Sequence, residues 1–208
     1  MREIVVYAEG GGDIVAQRRT LRLGFDRLFS QWRDRAPRNG CSVRFICCGG
    51  RQQAYDNFRA ALHANPERVN VLLVDSEEPI TGKTAQDHAT HLTQRDGWNF
   101  TGIVLERVHL MVQCMEAWIV ADPDALAKFY GQRFVRRSLP ARPNLEEEPK
   151  SDIFDKLARA TRRTQKGEYE KIRHASQLLQ RIDATKVAQR CPRFATFTRW
   201  LTESIERA

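Results

Sequence analysis

The chain has 208 residues, 41% hydrophobic and 29% charged, enough to bury the core of one domain or slightly more. Its 34 Lys and Arg against 26 Asp and Glu give a net charge of +8, and 27 of those basic residues are Arg, a bias that suits phosphate partners but also follows from the codon use of a GC-rich genome. No apolar run approaches the roughly 20 residues needed to span a bilayer, so no membrane partner is expected, and the strand-like start MREIVVYAEG points to a cytoplasmic protein.

In chain order, Ile4 to Ala8 is a continuous apolar run that ends at Gly10, Gly11 and Gly12, as a buried strand feeding a tight loop does. Leu21, Phe25, Leu28 and Trp32 then share one face of a long helix that starts near Ile14 and stops at Pro37 to Gly40. A second strand, Val43 to Cys48, halts at Gly49 and Gly50, and a helix from Arg51 turns Ala54, Phe58, Ala61 and Leu62 inward. The third strand, Val69 to Val74, stops at Asp75. After a polar stretch with one short helix near Gln86 to Gln94, Ile103 to Val112 gives a fourth strand. A helix through Met115, Trp118 and Ile119 follows and restarts at Pro123.

Residues 131–150 hold three prolines and clustered charge and read as a surface connector; beyond them the pattern is helical near 151–164, 171–182, 184–189 and 194–205. The β-α-β-α-β order with continuous apolar strands predicts an α/β fold with a mainly parallel sheet flanked by helices and a C-terminal helical extension. Residues 1–130 are the expected α/β core, and 131–208 the connector and helical region packed on it as one compact unit. The five cysteines, with no CxxC spacing, are expected to be reduced core thiols, and His88 with His91 a polar loop or helix surface.

Two strands end in acids, at the sheet edge where open parallel sheets bind ligands. Glu9 closes the first strand and Asp13 opens the following helix; Asp75 closes the third strand, with Glu77 two residues on. In extended backbone Asp75 and Glu77 point the same way, and neighbouring strands lie about 4.8 Å apart, so these acids can converge on hard cations. Each alone reads equally as a turn former or helix cap. Glu116 is the only formal charge between Val108 and Val120; a carboxylate there must be paired, neutralised or metal-bound.

The acid-glycine loop YAEGGGD (Tyr7 to Asp13) with LLVDSEEP (Leu72 to Pro79) resembles the Toprim fold of topoisomerases, primases and OLD-family nucleases. CGGRQQAYDNF (Cys48 to Phe58), HLMVQCMEAWIVADPDALAKFYG (His109 to Gly131) and KGEYEKIRHASQLL (Lys166 to Leu179) narrow the resemblance to a bacterial Toprim-like family catalogued as domain of unknown function 4276, over nearly the whole chain. The resemblance implies Glu9 as general acid or base, and Asp75 and Glu77 as ligands of Mg²⁺ or Mn²⁺. Asp13 matches the second acid of the glycine loop, and Glu116 a further acid on a later helix. Glu77 stands where Asp is more usual.

Lys171 falls on the inner face of its helix and is a candidate to contact a scissile phosphate, with His174 and Arg18 as further basic candidates. Lys156, Arg159, Arg162 and Arg163 share one helix flank that suits a nucleic-acid backbone. The leading expectation is a metal-dependent nuclease acting on DNA or RNA, and the resemblance implies a defence-module effector with an ATPase partner. The rival is a non-catalytic binding or regulatory subunit of an ATPase complex. A dinucleotide enzyme is disfavoured, because the glycines lack GxGxxG spacing and follow an acid.

Overall fold

The computed structural model describes residues 1–207. Its centre is a four-stranded parallel sheet of β1 (Arg2–Ala8), β2 (Cys41–Cys47), β3 (Val69–Asp75) and β4 (Val108–Met111), in the order β2-β1-β3-β4. The first crossover runs through α1 (Val15–Leu28) and α2 (Ser30–Arg35), and the second through α3 (Arg51–Ala64). Helix α4 (Ala85–Asp96) precedes β4; α5 (Glu116–Val120), α6 (Pro123–Tyr130), α7 (Lys150–Thr161), α8 (Lys171–Leu179), α9 (Ala184–Arg190) and α10 (Pro192–Glu206) follow it. This is the mixed α/β, Rossmannoid arrangement that the strand pattern predicts. Among the described residues no helix is long and apolar enough to cross a membrane.

Alternation along β1 builds two cores. Ile4, Val6 and Ala8 pack with Leu21 and Phe25 of α1 and with Leu178, Phe194 and Phe197 of the C-terminal helices. Val5 and Tyr7 pack on the opposite face with Ala54 and Phe58 of α3 and Leu92 of α4. The C-terminal helices therefore supply part of the same core that covers the sheet. All five cysteines are buried free thiols.

The single long helix expected from Ile14 is instead broken at Phe29, whose fully buried ring sits among Phe25, Phe45, Trp118, Phe194 and Phe197. Seating that ring outweighs one continuous turn. The fourth strand is shorter than Ile103 to Val112, because Leu105–Arg107 forms a 3₁₀ turn and only Leu72 to Asp75 of β3 are paired by β4. The connector runs along the surface but is pinned to the body: Leu139, Leu145, Glu146 and Glu148 are buried, and Arg193 neutralises Glu146 at 2.8 Å.

Two glycines carry local geometry. At Gly11 (φ +94°) a Cβ would lie 2.7 Å from the Arg18 Cα, so side chains are excluded both by conformation and by backbone contact. Gly11→Ala is expected to cost about 2 kcal/mol in urea unfolding; a loss below about 0.5 kcal/mol would contradict that packing. At Gly24 a Cβ would meet the Ser176 backbone at 3.1 Å; the missing side chain lets α8 approach α1 closely and fixes where Lys171 begins.

Candidate metal centre

The chain leaves β1 in one direction to form β2 and returns on the other side to form β3, so the β1/β3 boundary is the point where strand order switches, the usual ligand crevice of such sheets. Register pairs Ala8 with Leu73, and the Glu9 N–H donates to the Leu73 carbonyl at 2.9 Å, which carries the Glu9 side chain up beside Asp75. The Asp75 N–H donates to Glu9 Oε2 at 3.0 Å. Carboxylate oxygens of Glu9, Asp75 and Glu77 all lie within 4.8 Å of one another, a hard-oxygen donor set that suits Mg²⁺ or Mn²⁺.

The route by which Glu77 joins differs from the extended Asp75-Ser76-Glu77 geometry. The strand stops at Asp75, and Glu77 takes a left-handed φ of 67°, at a cost of about 1 kcal/mol for a residue with a side chain. Its N–H donates to the Gln113 carbonyl at 2.8 Å and that of Ser76 to Met111 at 3.0 Å, so the turn is held by the chain leaving β4.

Asp75 is 1% exposed. One oxygen accepts the Met115 N–H at 2.9 Å, and the other faces the Lys171 ammonium at 3.7 Å. Burial pushes its carboxyl up to about 8; Lys171 opposes the rise, while Glu9 and Glu116 add to it. Burial raises the Glu9 carboxyl too, against the pull of Arg51 and the Asp75 N–H. Glu116 is fully buried; one oxygen accepts the Tyr169 hydroxyl at 2.9 Å and lies 3.7 Å from Lys171, while the other has no partner among the described residues. Burial depresses the Lys171 amine, but Asp75, Glu116 and Glu9 overcome it and hold the group above its ordinary value.

Sequence reasoning missed two cations here. Arg51, the first residue of α3, donates to the Asp75 carbonyl at 2.8 Å and reaches Glu9 at 3.5 Å, with Asp96 bonded to its fork at 3.0 and 2.7 Å. Its signal was the Gly49-Gly50-Arg51 run at the end of β2, the mirror of the loop after β1: Gly10 and Gly49 exchange backbone hydrogen bonds at 2.7 and 2.9 Å. Lys150, at the start of α7, donates to Glu77 at 2.6 Å. Nothing local to PKSD marks it, because the contact closes across 73 positions of sequence.

Other candidates fall elsewhere. The Asp13 side chain is exposed and lies outside the three-acid group, and it does not cap α1, whose N-cap is Ile14. Arg18 donates to the Asp13 carbonyl at 3.0 Å and is a clamp on the glycine loop, beside a cleft with Arg19, Arg22 and Arg44. His174 is 2% exposed, accepts the Glu170 N–H at 3.1 Å and stands among Phe129, Tyr130 and Tyr169. Buried among these rings with Nδ1 engaged, it is a core residue rather than a phosphate contact, and burial lowers its pKa.

Lys156 is committed to buried Glu148, which it shares with Arg142. Lys156→Ala is expected to cost about 1–2 kcal/mol of stability, measured by denaturant melts, from the partly uncompensated carboxylate. Arg159, Arg162 and Arg163 are exposed. His88 is buried on α4 and meets the Val108 carbonyl at 3.2 Å; His91 meets that of Ser76 at 2.9 Å, so both brace the site's surroundings.

The profile of a family described as a domain of unknown function (DUF4276) matches residues 8–202. The chain belongs to that family. The match takes in Glu9, Asp75, Glu77, Glu116 and Lys171, so the site lies within the region that defines DUF4276. No curated protein and no solved structure matches the chain.

Proposed function

We propose that this DUF4276 protein is a metal-dependent nuclease of Toprim type, related to the OLD-family enzymes and acting with an ATPase partner in a bacterial defence module. The observation that carries the reading is the convergence of Glu9, Asp75 and Glu77 at the strand-switch crevice, with Lys171 and Arg51 against them. The three acids would hold Mg²⁺ or Mn²⁺, which supplies Lewis acidity towards the attacking water and the phosphate oxygens. Glu9, with one oxygen engaged by Asp75 N–H and Arg51, keeps the other for a proton from that water. Lys171 faces Asp75 and Glu116 from α8 and would offset charge developing on the phosphate. Arg18, Arg19, Arg22 and Arg44 line a cleft leading from the glycine loop, and Arg159, Arg162 and Arg163 add an exposed basic flank; both suit a DNA or RNA backbone.

The test is incubation of the purified protein with plasmid, single-stranded DNA and tRNA in Mn²⁺, alone and with a co-purifying ATPase. Glu77→Gln is expected to lose cleavage; undiminished cleavage in that variant would sink the assignment. One observation favours a second reading, a non-catalytic regulatory subunit: Arg51, Lys150 and Lys171 already neutralise most of the acids, so the cluster is compatible with a purely structural role. That reading expects no cleavage in any of these mixtures, the ATPase complex included.

A further inference from the structure

Lys171 Nζ sits 3.7 Å from Asp75 and 3.7 Å from Glu116, between two carboxylates that are both almost fully withdrawn from water. Phosphodiesterases of the two-ion kind hold two divalent cations in one site. Asp75 is common to two groupings: it belongs to the Glu9, Asp75, Glu77 set, and it shares Lys171 with Glu116. Glu116 lies outside the three-acid set, and its second oxygen is buried with no partner among the described residues, an acceptor left over in a pocket that holds one cation already.

Charge points the same way. Five carboxylates (Glu9, Asp75, Glu77, Glu116 and Asp96) face four cationic side chains (Arg51, Arg95, Lys150, Lys171), a formal excess of one negative charge. A single divalent ion turns that to one positive charge, enough to draw a phosphodiester.

We infer that Lys171 occupies the place of a second divalent cation, so that the site takes one ion per chain, with the ammonium group serving Asp75 and Glu116 as the other. This rests on the metal-binding part of the proposed function and concerns stoichiometry, which is read without turnover. Replacing Lys171 with an uncharged side chain leaves two buried carboxylates facing each other, and the unpartnered oxygen of Glu116 then completes a second oxygen site.

The experiment is Mn²⁺ titration of the full chain by calorimetry, with electron paramagnetic resonance of the loaded protein. Wild type should bind one ion and show an isolated Mn²⁺ signal. Lys171→Met should bind two, with a spin-coupled pair, and Glu116→Gln added to it should restore one. Lys171→Arg should keep one. Because Lys171→Met is expected to melt lower than wild type without metal, its melting temperature should rise more on adding Mn²⁺ than that of wild type. Two ions in wild type, or one in folded Lys171→Met, would overturn the inference while leaving the nuclease reading intact, and the wild-type count decides even where the variant fails to fold. No ion in wild type would overturn both.

Discussion

Asp75→Asn is expected to weaken Mn²⁺ binding by about 100-fold or more and to lower Mn²⁺-dependent cleavage by roughly three orders of magnitude. Asp75 is the residue on which the site's contacts converge. Its N–H bonds Glu9, its carbonyl takes Arg51, one carboxylate oxygen receives the Met115 N–H, and the other faces Lys171. An asparagine keeps the acceptor that Met115 needs, so the start of α5 stays anchored. It turns two donor hydrogens towards Lys171 and towards the place of the cation. Loss of metal affinity should therefore come without loss of the fold, which calorimetric Mn²⁺ titration and circular dichroism melts of the same sample would separate. Retained Mn²⁺ affinity in the variant would remove Asp75 from the metal centre.

Mn²⁺ affinity should also fall steeply with acid. Burial pushes the Asp75 carboxyl up to about 8, far above the roughly 3.9 of an unfolded chain, and Glu9 is raised as well. The sign follows from proton counting. Between about pH 4 and 8 the metal-free fold binds a proton that the unfolded chain has released, so the contribution of Asp75 to stability is present in acid and lost as pH rises towards 8. A divalent ion needs the ionised form, so binding expels the proton, and apparent affinity should approach a drop of about tenfold per pH unit below pH 8, about 50-fold from pH 8 to 6, and level off above. Titrations across that range test it; a flat profile would mean that Asp75 is already ionised in the metal-free protein. The same linkage predicts that Mn²⁺ raises the melting temperature more at pH 8 than at pH 6.

Much of this site could be read from the chain alone, for a specific reason. Glu9 and Asp75 end runs of buried β-structure, and in a parallel sheet strand ends meet at one edge whatever the loops do. Glu116 announced itself as a lone charge in an apolar helix, and Lys171 as a cation on an inward helical face; both are angular relations within one element. His174 lies at the border of the same helix face, and sequence spacing could not say that Phe129, Tyr130 and Tyr169 would close over it. Lys156 looked like part of a solvated basic stripe because its buried partner, Glu148, belongs to a connector whose path has no periodicity to read.

Local pattern therefore suffices for the fold class, the strand ends and the residue types gathered there, since hydrophobic period and glycine placement act over a few neighbouring positions. It takes the assembled fold to turn Glu77 back through a left-handed backbone, to close Lys150 and Arg51 over the acids, and to leave Asp13 outside. These depend on backbone hydrogen bonds and ion pairs between segments tens of residues apart. Their free energy comes from burying and neutralising charge in a shared crevice, a property of the assembled fold that no local stretch of the chain encodes.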